Sequence, residues 1–193
     1  LEYHRSFVRV DLSAIRSNYD ALKGILAPET KTMAIVKANA YGHGSVRVAK
    51  ELEGRADYFA VAALEEAMEL RDNGIKTPIL ILAYTSPSQY EDLINNDIAT
   101  TIYSLDEAKK LSETAGKLGK KAVIHIAVDT GMGRIGFCCY EKGDDSAAAE
   151  IEKISAFLLT FPGFSCMILP VVKEKYFTER GEMNEKRYFP YVH

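Results

Sequence analysis

Short apolar runs alternate with amphipathic stretches along this chain at nearly constant spacing. The apolar runs begin near residues 32, 58, 78, 98 and 122, so one strand-plus-helix unit recurs every 20–26 residues. Strands apolar at consecutive positions are buried on both faces, as in a parallel sheet covered by helices. Uniform repetition favours a (β/α)8 barrel over a doubly wound sheet, although periodicity alone fits both. A complete barrel of that kind takes about 250 residues. This chain has 193. It supplies five clear strands and a candidate sixth at Cys166–Val172, broken by Pro170. The expected architecture is α/β: a TIM-type barrel left incomplete at five or six βα units.

The elements carry local signals. From Ser13 to Leu26, residues Ile15, Tyr19, Leu22, Ile25 and Leu26 describe one apolar helix face. Thr32–Val36 reads as a buried strand, and a helix opens after Gly44 and runs to about Glu53. Further strands are predicted at Tyr58–Ala62, Pro78–Leu82, Ile98–Tyr103 and Ala122–Val128. Leu64–Asn73 is a helix with Gly74 placed to end it. Ser86-Pro87-Ser88-Gln89 and Ser104-Leu105-Asp106-Glu107 each open a helix by capping-box logic. Ala147–Leu159 is the last clear helix, and Phe7–Asp11 alternates as a strand that pairs outside the barrel.

After Phe161 the periodicity fails. Nine of the fifteen residues from Lys173 to Arg187 are charged, with no apolar stripe. Residues 1–160 are therefore expected to form the barrel part. Residues 161–193 read as a divergent tail, solvated or produced by a shifted reading frame.

Charge and cysteine usage narrow the function classes. There are 24 Lys+Arg against 27 Asp+Glu, a mild acidity that argues against a dedicated nucleic-acid binder. No apolar run approaches the roughly 18–20 residues that span a bilayer. Leu1–Arg5 is polar and lacks the apolar core of a secretory leader. Cys138, Cys139 and Cys166 lack zinc spacing and fit buried thiols in a reducing cytoplasm, so no metal site is expected.

Two segments carry chemistry. Lys37 follows directly on a predicted strand, where a barrel places its active site. Partial desolvation there frees an amine as a nucleophile able to form a Schiff base with an aldehyde. Gly42 and Gly44 permit close backbone approach, and Tyr41 offers a hydroxyl to a phosphate. A solvated lysine and a loop histidine at His43 are the plainer alternatives. In the second segment, the glycines of 131–136 let the chain turn sharply, and Arg134 is able to hold a carboxylate through a bidentate pair. A glycine-rich loop with a solvated arginine is equally compatible with those residues.

Val-Lys-Ala-Asn-Ala-Tyr-Gly-His-Gly (36–44) and Val-Asp-Thr-Gly-Met-Gly-Arg-Ile-Gly-Phe (128–137) together resemble bacterial alanine racemase. Arg9 to Ile15 with Asn18 resembles that family's opening, and the resemblance covers roughly residues 5 to 160. It implies pyridoxal 5'-phosphate (PLP) carried on Lys37, Tyr41 at the phosphate and Arg134 orienting substrate. It also implies interconversion of L- and D-alanine for cell-wall precursor supply in the cytoplasm. The family forms homodimers in which the lysine serves one face of the substrate and a tyrosine of the partner's C-terminal domain serves the other.

The chain departs from the family at three places. Ala127 stands where many members carry a lysine that steadies the arginine. The family's histidine strand is not found between Gly163 and Val172. The arginine facing the pyridine nitrogen and the C-terminal β-domain are not found either. These departures imply a truncated piece inactive alone. Two alternatives are a non-catalytic PLP-binding remnant and a short barrel of the PLP-homeostasis type.

Overall fold

A computed structural model of the chain describes residues 7–129, 131–138, 146–160 and 164–166. The chain divides into two compact units, Leu1–Leu82 and Ala83–His193.

The first unit opens with helix α1 (Leu12–Gly24), capped by Asp11, whose carboxylate accepts the N–H groups of Ser13 and Ala14. Three parallel strands follow: β1 (Met33–Ile35), β2 (Tyr58–Val61) and β3 (Ile79–Ile81). Their register runs Met33 to Tyr58 and Phe59 to Ile79. Between them lie a short turn α2 (Lys37–Tyr41), helix α3 (Ser45–Leu52) and helix α4 (Leu64–Asp72). All four residues of β2 are buried, as the continuous apolar run predicts for a strand covered on both faces. Phe59, Leu70, Ile75, Ile79 and Ile81 form the centre of this core.

The second unit repeats the scheme. A single 3-10 turn (Pro87–Gln89) with the expected capping box leads into α5 (Tyr90–Asn95). Strands β4 (Ile98–Ile102) and β5 (Ala122–Ile126) pair in parallel on either side of α6 (Leu105–Leu118) in sequence. Ser104 Oγ accepts the Glu107 N–H at the start of α6, and Gly119 at φ 61° ends it. Two short strands, β6 (Val128–Asp129) and β7 (Phe137–Cys138), pair across the glycine-rich loop. Helix α7 (Ser146–Thr160) buries Ile151 and Ile154, and β8 (Phe164–Cys166) adds a third parallel strand beside β5. Among the described residues, β1, β2 and β3 in one unit and β4, β5 and β8 in the other run parallel with helices between them in sequence, the α/β scheme of a partial barrel. No described helix is long and apolar enough to cross a membrane.

Several expectations are corrected. The apolar face of α1 is not buried: Leu22 and Ile25 are 65% and 80% exposed. Polar anchors hold that helix instead. Arg16 pairs with Glu51, Tyr19 hydrogen-bonds Thr32, Lys23 donates to the Arg55 carbonyl and Arg55 pairs with Asp20. β1 is shorter and less buried than its apolar run suggests, with Ile35 39% exposed, because it pairs with β2 alone within this unit. Residues 7–11 form no strand; Asp11 is a helix cap, and Phe7 and Val8 stand in solvent. Cys138 is exposed rather than buried. The tail expected at 161–193, including most of the Cys166–Val172 run, lies outside the described residues apart from β8.

Candidate active site

Lys37 emerges where β1 ends, after the fully buried Val36, and is itself half-buried. The chain then does what no local signal announces. Ala38, Asn39, Ala40 and Tyr41 take φ between 50° and 54°, and the first three have ψ of 45–49°. This is one turn of left-handed helix made without glycine. Each L-residue in that conformation crowds its Cβ against the following carbonyl, at roughly 1–2 kcal/mol. Four residues accumulate roughly 4–8 kcal/mol by that count, comparable with the net stability of a small domain.

The surrounding structure holds the turn. Ala40 N–H donates to the Val36 carbonyl at 2.9 Å, and Gly44 N–H to the Asn39 carbonyl at 2.9 Å. Asn39 Oδ1 accepts the Ser45 N–H at 2.9 Å, and His43 Nδ1 lies 3.0 Å from the Ala40 carbonyl. From a different element, Glu66 Oε1 accepts the Ala38 N–H at 2.7 Å. Gly42, at φ 87°, releases the chain into α3. Asn39 tolerates the left-handed region through its short polar side chain, and the two alanines carry the smallest Cβ substituents. Lys37 and Tyr41 stand at opposite ends of this one turn, and Tyr41 is 62% exposed.

Arg134 belongs to the second unit. Its loop leaves β5 and β6 and is organised by one carboxylate. Asp129, 5% exposed, accepts the N–H groups of Gly131 at 2.9 Å and Gly133 at 3.1 Å on Oδ1. Its Oδ2 accepts the Arg134 N–H at 2.9 Å. These bonds, those from Gly131 and Gly133 foremost, hold its carboxyl below the usual carboxylate range. The Arg134 side chain is exposed. Gly136, at φ 123°, passes so close that a Cβ would lie 2.7 Å from the Asp129 nitrogen. At Ala127 the backbone is fully engaged: its N–H donates to Ile102 and its carbonyl accepts from Phe137. Two residues before it, His125 is buried in β5, and burial pushes its pKa down to about 4.

The structure therefore brings Lys37 and Tyr41 onto one turn and carries Arg134 on a separate loop gathered by Asp129. Two positioning residues escaped the sequence reading. Asp129 followed by glycines two and four residues on is a legible turn signal. Glu66 was legible only as an acid in the first turn of a helix; its reach to Ala38 depends on tertiary placement.

The family model described as alanine racemase, N-terminal domain, matches residues 10–166. An alanine racemase of Methanococcus maripaludis is 50% identical over 152 residues, which cover 78% of this chain and 40% of that protein. The alanine racemase of Clostridium difficile 630, in complex with cycloserine, superposes with a TM-score of 0.73 at 40% identity, covering 81% of this chain and 41% of its own. A histidine racemase of Leuconostoc mesenteroides gives 0.69 at 26% identity, with 79% and 39% covered. The chain thus spans about 40% of the length of the relatives it matches. The family-model match over residues 10–166, with relatives at 40–50% identity over most of the chain, places this chain in the alanine racemase N-terminal domain family.

Proposed function

We propose that this chain carries PLP on Lys37 and forms the N-terminal part of a cytoplasmic amino-acid racemase that acts on alanine. The observation that carries the reading is the half-buried Lys37 at the carboxyl end of a parallel strand, followed by a strained turn that the rest of the unit holds fixed. Strain of this kind clusters at sites where placement of a group matters more than stability. The donor set also fits the group. Lys37 offers a primary amine for an aldehyde, and Tyr41, one turn further on, offers a hydroxyl for a phosphate.

When bound, PLP supplies an aldehyde for the lysine amine and a ring that takes up the charge left at a deprotonated Cα. Lys37 Nζ, free once the substrate's own amine has taken its place on the aldehyde, would take or return the Cα proton on one face of the amino acid. The resemblance gives Arg134 the substrate carboxylate as its partner, and Asp129 fixes the backbone from which that side chain extends. Racemisation needs a second proton carrier on the opposite face. None is assigned among the described residues, so this chain by itself is expected to bind PLP and not to turn over. In the resembling family the partner of a homodimer supplies the second carrier.

Adding PLP to the purified chain should produce the visible absorbance of a lysine-linked cofactor. Lys37→Ala should abolish it, and an unchanged band in that variant would remove the basis of the reading. D-alanine formed by the chain alone would overturn the expectation of inactivity. Ala127 favours a second reading, a PLP-binding module without turnover. The two separate on supplying a C-terminal racemase fragment: activity appears only if the chain is an enzyme part.

A further inference from the structure

Glu66 makes two short hydrogen bonds that do different things. Its Oε2 accepts the Ala62 N–H at 2.7 Å, four residues back in sequence. Its Oε1 accepts the Ala38 N–H at 2.7 Å, on the turn that follows the neighbouring strand. The first bond ties the helix to the residue just ahead of its N-cap, and the chain contains an internal control for it. Leu64-Glu65-Glu66-Ala67 recurs as Leu105-Asp106-Glu107-Ala108. There Glu107 Oε2 accepts the Tyr103 N–H, again four residues back, at 3.0 Å. The bond to Ala38 is what sets Glu66 apart from Glu107.

Ala38 is the first left-handed residue and the residue next to Lys37. Its N–H is fixed by a charged acceptor carried on α4, an element that touches the turn only through the fold. Charge-assisted bonds of this kind are roughly twice as strong as neutral ones. We propose that Glu66 is a positioning residue for Lys37: by gripping the Ala38 N–H it holds the left-handed turn that starts at the lysine and so fixes where the amine is presented. The proposal rests on the reading of Lys37 as the PLP lysine.

The test compares the two glutamates in the full chain. Wild type, Glu66→Gln and Glu107→Gln are titrated with PLP, reduced with borohydride to fix PLP on the amines it has condensed with, and mapped by peptide mass. The readout is the PLP concentration that half-labels Lys37, with the other lysines as internal reference. Glu66→Gln should need about tenfold more PLP at Lys37, the scale of one lost charge-assisted bond, with the other lysines unchanged. Glu107→Gln should stay within about twofold of wild type. A merely structural role predicts that the two variants behave alike, and equal labelling of Lys37 in both would overturn the proposal while leaving the PLP reading standing. Wild type that labels Lys37 no better than its other lysines would overturn both. If Glu66→Gln fails to fold, Glu66→Asp keeps the charge but is one methylene too short for both bonds. It should shift Lys37 in the same direction, and an unshifted Lys37 would overturn the proposal.

Discussion

The turn after β1 and the loop after β5 both leave the carboxyl ends of parallel strands, yet they keep their shapes by opposite means. In the first, four residues that are not glycine are forced into the left-handed region and held there by acceptors, one of them from another element. In the second, Gly131, Gly133 and Gly136 take positive φ without side-chain cost, and one local carboxylate gathers the amides. One region is shaped by tertiary force against its own preference; the other is shaped by its own residues. The two regions part in where strain is kept. It is concentrated at the lysine, the group whose position the proposed chemistry needs most, while the arginine sits on a relaxed frame.

The largest effect that sharpens this contrast is expected at Gly136. Gly136→Ala would drive a Cβ to 2.7 Å from the Asp129 nitrogen at a φ of 123°. Neither can relax without breaking the Asp129 cluster, so a loss of roughly 3 kcal/mol or more is expected. Urea unfolding of the variant measures it. A tolerated alanine would mean that the loop does not close around Asp129 as described.

Acid should act next, and on the second unit. His125 is buried, and its pKa falls from 6.5 to about 4. Above pH 6.5 the imidazole is neutral in both folded and unfolded chains. Between 6.5 and 4 the unfolded chain takes up a proton that the folded one refuses, so stability declines as pH falls through that window. The full shift is worth about 3 kcal/mol. The lowered carboxyls of Asp11, Asp57 and Asp129 titrate below 3.8 and add their loss only under stronger acid. Stability measured at pH 7 and pH 4.5 should differ in the wild type and much less in His125→Gln. Equal pH dependence in both would show that the histidine is not the group responsible.

These two regions also mark what a sequence discloses. The strand–helix beat, the caps at Ser86 and Ser104, the terminating glycine Gly74 and the sharp turn at the 131–136 glycines were legible because each depends on neighbours in sequence. Lys37 and Arg134 stand out in the sequence through the motifs that carry them. The left-handed turn was not legible, since Ala38, Ala40 and Tyr41 carry no local preference for it; Val36, Glu66 and Ser45 impose it after folding. The same limit applies to α1. Its apolar spacing announced a helix correctly, yet periodicity cannot say what covers Leu22 and Ile25. Cys138 was expected inside on composition alone, and its place on a two-residue strand beside the glycine loop leaves it in solvent.

The smallest expected effect tests the strain itself. A glycine in an ordinary exposed helix position costs about 0.5–1 kcal/mol, because the unfolded chain gains freedom. Ala156, exposed on α7, should behave that way in Ala156→Gly. At Ala38 the same entropic cost is opposed by relief of about 1–2 kcal/mol of left-handed crowding. Ala38→Gly is exposed, keeps its N–H for Glu66 and loses only the Cβ that the backbone resents. The net expectation is a stabilisation of about 0.5–1 kcal/mol, opposite in sign to the control. Urea midpoints of the two variants, measured side by side, read that sign directly. If Ala38→Gly destabilises as Ala156→Gly does, the residue after Lys37 is not left-handed, and the distinction between a strained lysine turn and a relaxed arginine loop falls with it.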